Sequence, residues 1–219
     1  MQLPSLILDT GRWLVIDKPA GWHSVRGATQ ARDDGVGVVE TWLAAWRTEL
    51  GALPESGLVH RLDRDTSGCL VVATDPEAHG DLVRRFRESV RVRKTYLARC
   101  RAALAEAQPA ESGDVTLHFS SRYKGSAKVT VAREGEAKHA GSFRWRVLAR
   151  DDVAGDLLEL DLLGPGKRHQ LRAGCAFLGF PLVGDTLYAG TASAGLQLHA
   201  WRVVIDDRIV EAPPPGWAR

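Results

Sequence analysis

Short apolar runs separated by turn-forming residues dominate the hydrophobic pattern of this chain. Runs at residues 13–17 and 69–73 predict two buried strands. Residues 94–100 predict another strand, whose period of two places Lys94 and Tyr96 on the same face. We expect these strands to carry much of the core.

The middle of the chain, residues 114–163, predicts several short strands. Gly125, Gly135 and Gly141, each with the residue before it, mark the expected breaks. Because such short connections can reverse the chain but cannot return it to a parallel start, they predict antiparallel pairing.

Three segments have the spacing of helices. The first is bounded by Asp34, a candidate cap, and Gly51, the expected stop. Its apolar positions are Val38, Val39, Trp42, Leu43, Trp46 and Leu50.

The second helix is predicted over residues 76–88, with Pro76 at its first position after Asp75. It is expected to place Leu82, Val83 and Phe86 inward and its arginines outward. A third helix follows the turn at 164–166, with Leu171, Cys175 and Leu178 on one face and Gly179 at its end. Strands with interspersed helices predict an α+β fold around a mixed, mainly antiparallel sheet.

Composition limits the class without naming it. With 219 residues, 44% of them hydrophobic, the chain is predicted to form one domain over residues 1–219. The net charge of +2 does not by itself indicate a polyanionic partner. Three cysteines without Cys-x-x-Cys spacing favour reduced thiols and a cytoplasmic location. The first residues lack a basic segment, so neither a signal peptide nor a membrane span is expected.

The segment 57–68 concentrates the candidate chemistry. It reads Gly-Leu-Val-His-Arg-Leu-Asp-Arg-Asp-Thr-Ser-Gly and leads directly into the predicted strand at 69–73. A dense polar loop before a buried strand indicates a functional site. The alternative is an ion-paired turn, in which Asp63 and Asp65 neutralise Arg61 and Arg64.

This segment resembles the nucleophile loop of the RluA family of pseudouridine synthases, where His-Arg-Leu-Asp-x-x-Thr-Ser-Gly recurs. Other segments resemble further family motifs in the same order: 13–21 with Lys-Pro-x-Gly, 93–98 with Lys-x-Tyr, 166–172 with Gly-Arg-x-His-Gln-Ile-Arg, 179–188 with a Gly-Asp-x-x-Tyr turn, and 198–201 near the end. The resemblance implies a pseudouridine synthase fold with flanking helices and a central active-site cleft. The chain is expected to begin almost directly at this catalytic domain, without an upstream RNA-binding domain.

The resemblance also implies an isomerase with three catalytic residues. Asp63 corresponds to the nucleophile, Tyr96 to a tyrosine that stacks on the target base, and Arg172 to the basic partner of the aspartate. Tyr96 as a core aromatic and Arg172 as a surface arginine are the structural alternatives. Uracil is detached from C1′ and rejoined through C5 without net redox change, so no cofactor is expected. Attack at C1′, attack on the base and elimination at C2′ all remain open.

The implied partner is ribosomal or transfer RNA, with no obligatory protein partner. Arg61 corresponds to the side chain that takes the place of the extruded nucleotide, and a salt bridge to Asp65 is its alternative. The remaining candidates for RNA contacts are Arg64, Arg84, Arg85, Arg87, Lys94, Lys167, Arg168 and His169.

Between residues 84 and 94 the basic side chains are opposed in sequence only by Glu88, which predicts a positive patch or, alternatively, a solvated helix face. Lys167 and Arg168 stand where the family motif has an arginine and a small polar residue. This difference predicts a change in how the protein binds RNA. His60 and His169 are expected to support their loops by hydrogen bonds.

Other chemistries receive less support from the sequence. The seven histidines are scattered without zinc-ligand spacing, so no metal is predicted. One alternative function is glycoside hydrolysis by Asp63 and Asp65 as paired carboxylates. The other is an RNA-binding protein on the same scaffold that has lost turnover.

Overall fold

The computed structural model describes residues 2–26, 36–101, 109–121, 123 and 126–219. Two compact units are found in it. The first comprises Met1–Val92 with Ala200–Pro213, and the second comprises Arg93–His199 with Pro214–Arg219. The single domain over residues 1–219 stays a prediction.

The described residues contain ten strands and three α-helices. The strands are β1 (Ser5–Asp9), β2 (Trp13–Lys18), β3 (Ser67–Ala73), β4 (Val92–Cys100), β5 (Ser112–Ser120), β6 (Thr130–Ala132), β7 (Ala140–Ala149), β8 (Asp156–Leu163), β9 (Leu198–Ile205) and β10 (Arg208–Glu211). The helices are α1 (Val39–Trp46), α2 (Pro76–Glu88) and α3 (Gln170–Phe177). The predicted α+β class is confirmed. The sequence pattern did not predict β1 and β10.

In the first unit the strand order is β1-β2-β3-β9, and β10 pairs with β9. The pairs β1–β2, β2–β3 and β9–β10 are antiparallel. Helix α2 packs on this sheet through Ala78, Leu82 and Phe86, which form one core cluster with residues such as Val15 and Val71. Burial of this apolar face is the main favourable contribution to the stability of the layer.

Helix α2 begins and ends as its sequence predicts. The Asp75 carboxylate accepts a hydrogen bond from the Ala78 N–H (2.7 Å), and Pro76 occupies the first turn. Val83 was predicted to face inward, but it is 36% exposed. Its position is one residue off the stripe formed by Ala78, Leu82 and Phe86, which repeats every four residues.

Helix α1 is shorter than predicted. It ends at Trp46 because the backbone of Arg47 is extended, and Leu50 lies instead in the 3-10 helix Thr48–Ala52. The Arg47 guanidinium binds Asp9 at 2.7 Å and lies 4.6 Å from the centre of the Trp46 ring. The predicted cap, Asp34, lies outside the described residues.

In the second unit the strand order is β4-β8-β7-β5-β6, and neighbouring strands are antiparallel as predicted. Helix α3 packs on this sheet, where the absence of a side chain at Gly174 admits the ring of Phe143. Phe143 and Leu117 have no exposed surface. Helix α3 ends at Phe177, close to the predicted stop at Gly179.

Of the three breaks predicted between residues 114 and 163, Gly135 lies between β6 and β7 as expected. Gly125 and the preceding Lys124 lie outside the described residues. The break at Gly141 is wrong, since β7 runs through this residue, which pairs with Leu117. Glycine leaves room here for the amide of Gln170, which would have to shift if a Cβ were added at residue 141.

The three cysteines, Cys69, Cys100 and Cys175, are buried free thiols. Burial raises the pKa of Cys69 and of Cys100 to about 12, and it raises the pKa of Cys175 well above its usual value. The expectation that these residues behave as small hydrophobes is in line with this burial.

Replacing Gly141 with alanine should destabilise the protein by about 1–3 kcal/mol, the usual cost of overpacking. The new Cβ would lie 2.9 Å from Cδ of Gln170, so the amide would have to leave its partners, Lys167 and Ser142. Gly80→Ala, on the exposed face of α2 with no atom near its Cβ position, is the control and should stabilise by about 0.5–1 kcal/mol. Urea unfolding measures both changes, and two effects of the same sign would contradict this explanation.

Candidate active site

Hydrogen bonds fix the backbone on both sides of Asp63. The Ser24 hydroxyl donates to the Leu62 carbonyl (2.8 Å) and accepts from the Leu62 N–H (2.9 Å). On the other side, the Arg64 carbonyl accepts from the Gly21 N–H (2.9 Å). The segment around residues 18–24 therefore sets the shape of the loop that carries Asp63.

Lys18 supports the same loop from the protein interior. Its side chain has no exposed surface, and its ammonium group donates to the carbonyls of Trp22 (2.8 Å), Arg64 (3.0 Å) and Pro19 (3.1 Å). An ammonium group has three N–H donors, so the three carbonyls satisfy it completely. Buried charges are costly unless they are compensated in this way.

Charges around Lys18 oppose the effect of burial. Burial lowers the pKa of Lys18 to about 7, whereas the negative charges of Asp65, Asp63 and Asp17 act to raise it. Burial in turn raises the pKa of Asp17, against the effect of the neighbouring Lys18. When protonated, Lys18 places a positive charge beside the backbone of the loop that carries Asp63.

The two ends of the loop are also fixed. The His60 ring stacks on Phe86, with 4.5 Å between the ring centres, and its Nε2 accepts from the Val71 N–H (3.1 Å). This acceptor role requires the neutral ring, and it confirms the expected support by His60. At the other end, Gly68 has a φ of +107°, and a Cβ there would meet the Ala200 carbonyl oxygen, so only glycine fits.

The arginines on either side of Asp63 differ in their contacts. Nε of Arg64 lies 2.9 Å from the Asp65 carboxylate in an exposed ion pair. Arg61 is exposed, and it forms no ion pair with any residue that the structure describes. The alternative in which Arg61 pairs with Asp65 is therefore wrong.

Strand β4 carries Tyr96 and Lys94 on one face, as predicted. Each is 8% exposed, and they stand opposite Leu160 and Leu162 of β8. The Lys94 ammonium group donates to the Gly164 carbonyl (3.3 Å), and burial lowers the pKa of Lys94 to about 8. Lys94 is thus largely enclosed by protein, and its predicted RNA contact stays a prediction.

Arg172 lies in the first turn of α3 and is 7% exposed, so the alternative of a surface arginine is wrong. Its Nε and Nη2 donate to the two carboxylate oxygens of Asp185 at 2.7 and 2.9 Å. The guanidinium carbon also lies 5.5 Å from the centre of the Tyr188 ring. Asp63 belongs to the first unit and Arg172 to the second, and their pairing stays a prediction.

The side chains of Lys167 and Arg168 donate hydrogen bonds to backbone carbonyls. The Lys167 ammonium group donates to the Lys138 carbonyl at 2.9 Å. The Arg168 guanidinium donates to the carbonyls of Ser126 (2.7 Å) and Ala127 (2.8 Å). These contacts give both residues a role in holding neighbouring loops, while their predicted RNA contacts stay predictions.

His169 also has a partner within its own unit. Its Nδ1 lies 2.8 Å from the Tyr188 hydroxyl, which in turn accepts from the Val129 N–H (2.9 Å). Because the hydroxyl accepts from Val129, its single proton is available to His169. The expected support by His169 is confirmed, and its RNA contact stays a prediction.

Acidic residues accompany the arginines of α2. Asp81 binds Arg84 (2.7 Å) and Arg85 (2.9 Å), and Asp206 binds Arg85 at 2.9 Å. Glu88 lies 3.8 Å from Arg84. The interpretation that Glu88 alone opposes these charges is wrong, because helical spacing brings in Asp81 and the fold brings in Asp206.

Four supporting residues of the site were given no role by the sequence: Lys18, Ser24, Asp185 and Tyr188. The first, third and fourth lie within the segments 13–21 and 179–188 that carry the resemblance, so a signal was present. Ser24 gave no signal, since its partner Leu62 is 38 residues away in sequence.

Within the described ranges, no cluster of three or more His, Cys, Asp or Glu side chains could hold a metal ion. Nor does any helix there have the length and apolar character that a membrane span requires.

Comparison with known proteins assigns the family. The family model described as RNA pseudouridylate synthase matches residues 12–177, a segment that includes Asp63 and Arg172. The chain is 32% identical over 196 residues to the dual-specificity RNA pseudouridine synthase RluA of Yersinia pestis, covering 88% of this chain and 87% of the relative. It is 34% identical over 152 residues to the chloroplastic RNA pseudouridine synthase 2 of Arabidopsis thaliana. That match covers 69% of this chain and 35% of the longer plant protein.

A solved structure agrees with these sequence matches. The human RNA pseudouridylate synthase domain containing 1 is similar with a TM-score of 0.70 and 25% identity, covering 97% of this chain and 83% of that structure. The fold is thus that of a pseudouridine synthase. The chain belongs to the RNA pseudouridylate synthase family, and the predicted RluA family and isomerase class are confirmed.

Replacing Lys18 with methionine should change how stability depends on pH. With a pKa of about 7 in the folded protein and 10.5 as the ordinary value, the unfolded wild-type chain binds more protons between these pH values. The free energy of unfolding of the wild type, relative to Lys18→Met, should therefore rise with pH, by up to about 1.4 kcal/mol per pH unit. Urea unfolding between pH 7 and pH 9 measures this difference.

Lys138→Met is the control, because Lys138 is an exposed lysine paired with Glu136. Its stability should keep a nearly constant difference from the wild type over the same pH range. A constant difference for Lys18→Met as well would show that burial does not disfavour the charged form of Lys18.

Proposed function

We propose that this chain converts specific uridines of ribosomal or transfer RNA into pseudouridine, with Asp63 as the nucleophile. The observation that carries the proposal is the fixed backbone around Asp63, held through Ser24 on one side and Lys18 on the other. A carboxylate that adds to an electron-poor carbon and then leaves must be held in one productive position. Membership of the RNA pseudouridylate synthase family supports the same chemistry.

The reaction rearranges one nucleoside and needs no second substrate. The bond between N1 and C1′ breaks, uracil turns, and a bond between C5 and C1′ forms. C5 loses a proton and N1 gains one, so the atoms and electrons balance without a cofactor. Attack at C1′, attack on the base and elimination at C2′ each use the Asp63 carboxylate in the first step.

Tyr96 and Arg172 are the proposed partners of Asp63. The Tyr96 ring would stack on the extruded base and assist the removal of the proton from C5. Arg172 would orient the Asp63 carboxylate through charge-assisted hydrogen bonds. Within its own unit, Arg172 donates to Asp185 from Nε and Nη2.

Arg61 is the residue proposed to fill the gap left by the extruded uridine. Its guanidinium is exposed and has no ion pair among the described residues, so its plane can stack on bases and its donors can bind phosphate. Arg87 on α2 is similar in both respects and is a proposed phosphate contact. The other proposed RNA contacts are Arg64, Arg84, Arg85, Lys94, Lys167, Arg168 and His169.

The presence of Asp63, Tyr96 and Arg172 together favours turnover over an inactive RNA-binding scaffold. The dual specificity in the name of the Yersinia relative supports more than one RNA substrate for this chain. The three buried free thiols support a reducing compartment, and we propose the cytoplasm.

Asp63→Asn should abolish pseudouridine formation and leave RNA affinity near that of the wild type, because the amide cannot act as the nucleophile but has the same shape. Single-turnover conversion of an RNA substrate and a filter-binding Kd measure the two effects. Asp65→Asn in the same loop is the matched control and should retain measurable turnover, whereas a paired-carboxylate mechanism would require both residues. Product formation by Asp63→Asn would exclude Asp63 as the nucleophile.

Arg61→Ala should slow conversion of a uridine in a folded stem-loop about 10- to 100-fold, the range expected for losing one stacking contact. A uridine in an unstructured oligonucleotide needs less unstacking, so the loss there should be smaller. Arg61→Lys keeps the charge but not the planar group, and it should resemble the alanine variant on the folded substrate. Equal losses on both substrates would contradict the role of Arg61 in base extrusion.

A further inference from the structure

We propose that Asp185 is a positioning residue for catalysis, which holds the guanidinium of Arg172 in its working orientation with the help of Tyr188. The inference rests on the proposed function of Arg172 and goes beyond it, because it assigns a role to a carboxylate that does not itself touch the substrate.

Asp185 is among the most completely enclosed ionisable groups of the second unit. Its side chain has no exposed surface, and its two oxygens receive four N–H donors. Two donors belong to Arg172, at 2.7 and 2.9 Å, and two are the backbone N–H groups of Leu187 (3.1 Å) and Tyr188 (3.2 Å). A carboxylate held at this many points has little freedom to rotate, so it fixes the plane of the guanidinium that binds it.

The position of Arg172 makes this support necessary. Arg172 lies in the first turn of α3, where the partial positive charge of the helix N-terminus disfavours a cation. It is also nearly buried, so water cannot compensate its charge. The carboxylate of Asp185 offsets both costs, and a neutral residue at 185 would not.

Tyr188 limits the second direction in which the guanidinium could move. The ring lies beneath the guanidinium at 5.5 Å, and its hydroxyl is held by the Val129 N–H and His169 Nδ1. Asp185 thus binds the edge of the Arg172 guanidinium, and the Tyr188 ring lies against the face of the same group. Together they limit the orientations that the guanidinium can adopt.

The test begins with Asp185→Asn in the full chain. Asparagine keeps an oxygen for the backbone donors of the turn, but it loses the charge and one of the two acceptors for Arg172. The single-turnover rate on a saturating RNA substrate should fall about 100-fold, the loss typical of a catalytic group displaced by about 1 Å. The Kd for the RNA should change little, because Asp185 is buried.

A double-mutant cycle separates positioning from general support of the fold. If Asp185 acts through Arg172, then adding Asp185→Asn to Arg172→Lys should cost much less than it does in the wild type. A purely structural role predicts that the two losses multiply. Asp151→Asn is the matched control, since the Asp151 carboxylate also accepts two backbone N–H groups in a turn, at 2.9 and 2.8 Å, and its rate should equal that of the wild type.

Tyr188→Phe keeps the experiment decisive if Asp185→Asn does not fold, as judged by circular dichroism. Loss of the hydroxyl should lower the rate by less than Asp185→Asn would, and this loss should also vanish in the Arg172→Lys background. Multiplicative losses would overturn the positioning role.

Failure of this inference can be told from failure of the proposed function. A wild-type rate for Asp185→Asn, with a slow Arg172→Lys, would overturn only the inference. A wild-type rate for Arg172→Lys would overturn the catalytic role of Arg172, and the absence of pseudouridine with the wild type would overturn the proposed reaction.

Discussion

A buried ammonium group determines the shape of the loop on which the proposed chemistry depends. Lys18 has no exposed surface, and its three donors are used by carbonyls of the chain. Because one of these carbonyls belongs to Arg64, the residue after Asp63, a shift of the loop would leave a buried cation without one acceptor. The loop and the segment that supports it must therefore form together.

The second unit contains a similar buried contact in which the supporting group is an anion instead of a cation. There a buried carboxylate, Asp185, fixes a guanidinium, whereas in the first unit a buried cation fixes backbone carbonyls next to a carboxylate. Lys18 and Asp185, which support the site, are more deeply enclosed than Asp63, which is only partly buried. Enclosure removes competing water and makes each electrostatic contact stronger.

Local patterns in the sequence predicted the elements that depend on neighbouring residues. Helix α2 followed from Asp75, Pro76 and the apolar repeat, and the strands followed from alternation, because both signals act over a few residues. The break predicted at Gly141 was wrong, because that glycine packs against the side chain of Gln170, which lies 29 positions later in the sequence. A composition rule cannot distinguish a glycine that turns the chain from one that admits a neighbour.

The same limit applies to the site. Resemblance marked Asp63, Tyr96 and Arg172, but neither the pairing of Asp206 with Arg85 nor the bond between Ser24 and Leu62 is visible in a linear sequence. Arg168 illustrates the difference most clearly, because this residue, predicted to contact RNA, donates to the carbonyls of Ser126 and Ala127.

The burial of all three cysteines has a practical consequence. A thiol reacts with maleimides as the thiolate, and the high pKa values of Cys69, Cys100 and Cys175 leave little thiolate at neutral pH in the folded protein. A cysteine placed at Val153, which is 84% exposed, would thus be the preferred attachment point for a fluorophore. The protein could in this way be followed optically without first removing its own sulfhydryl groups.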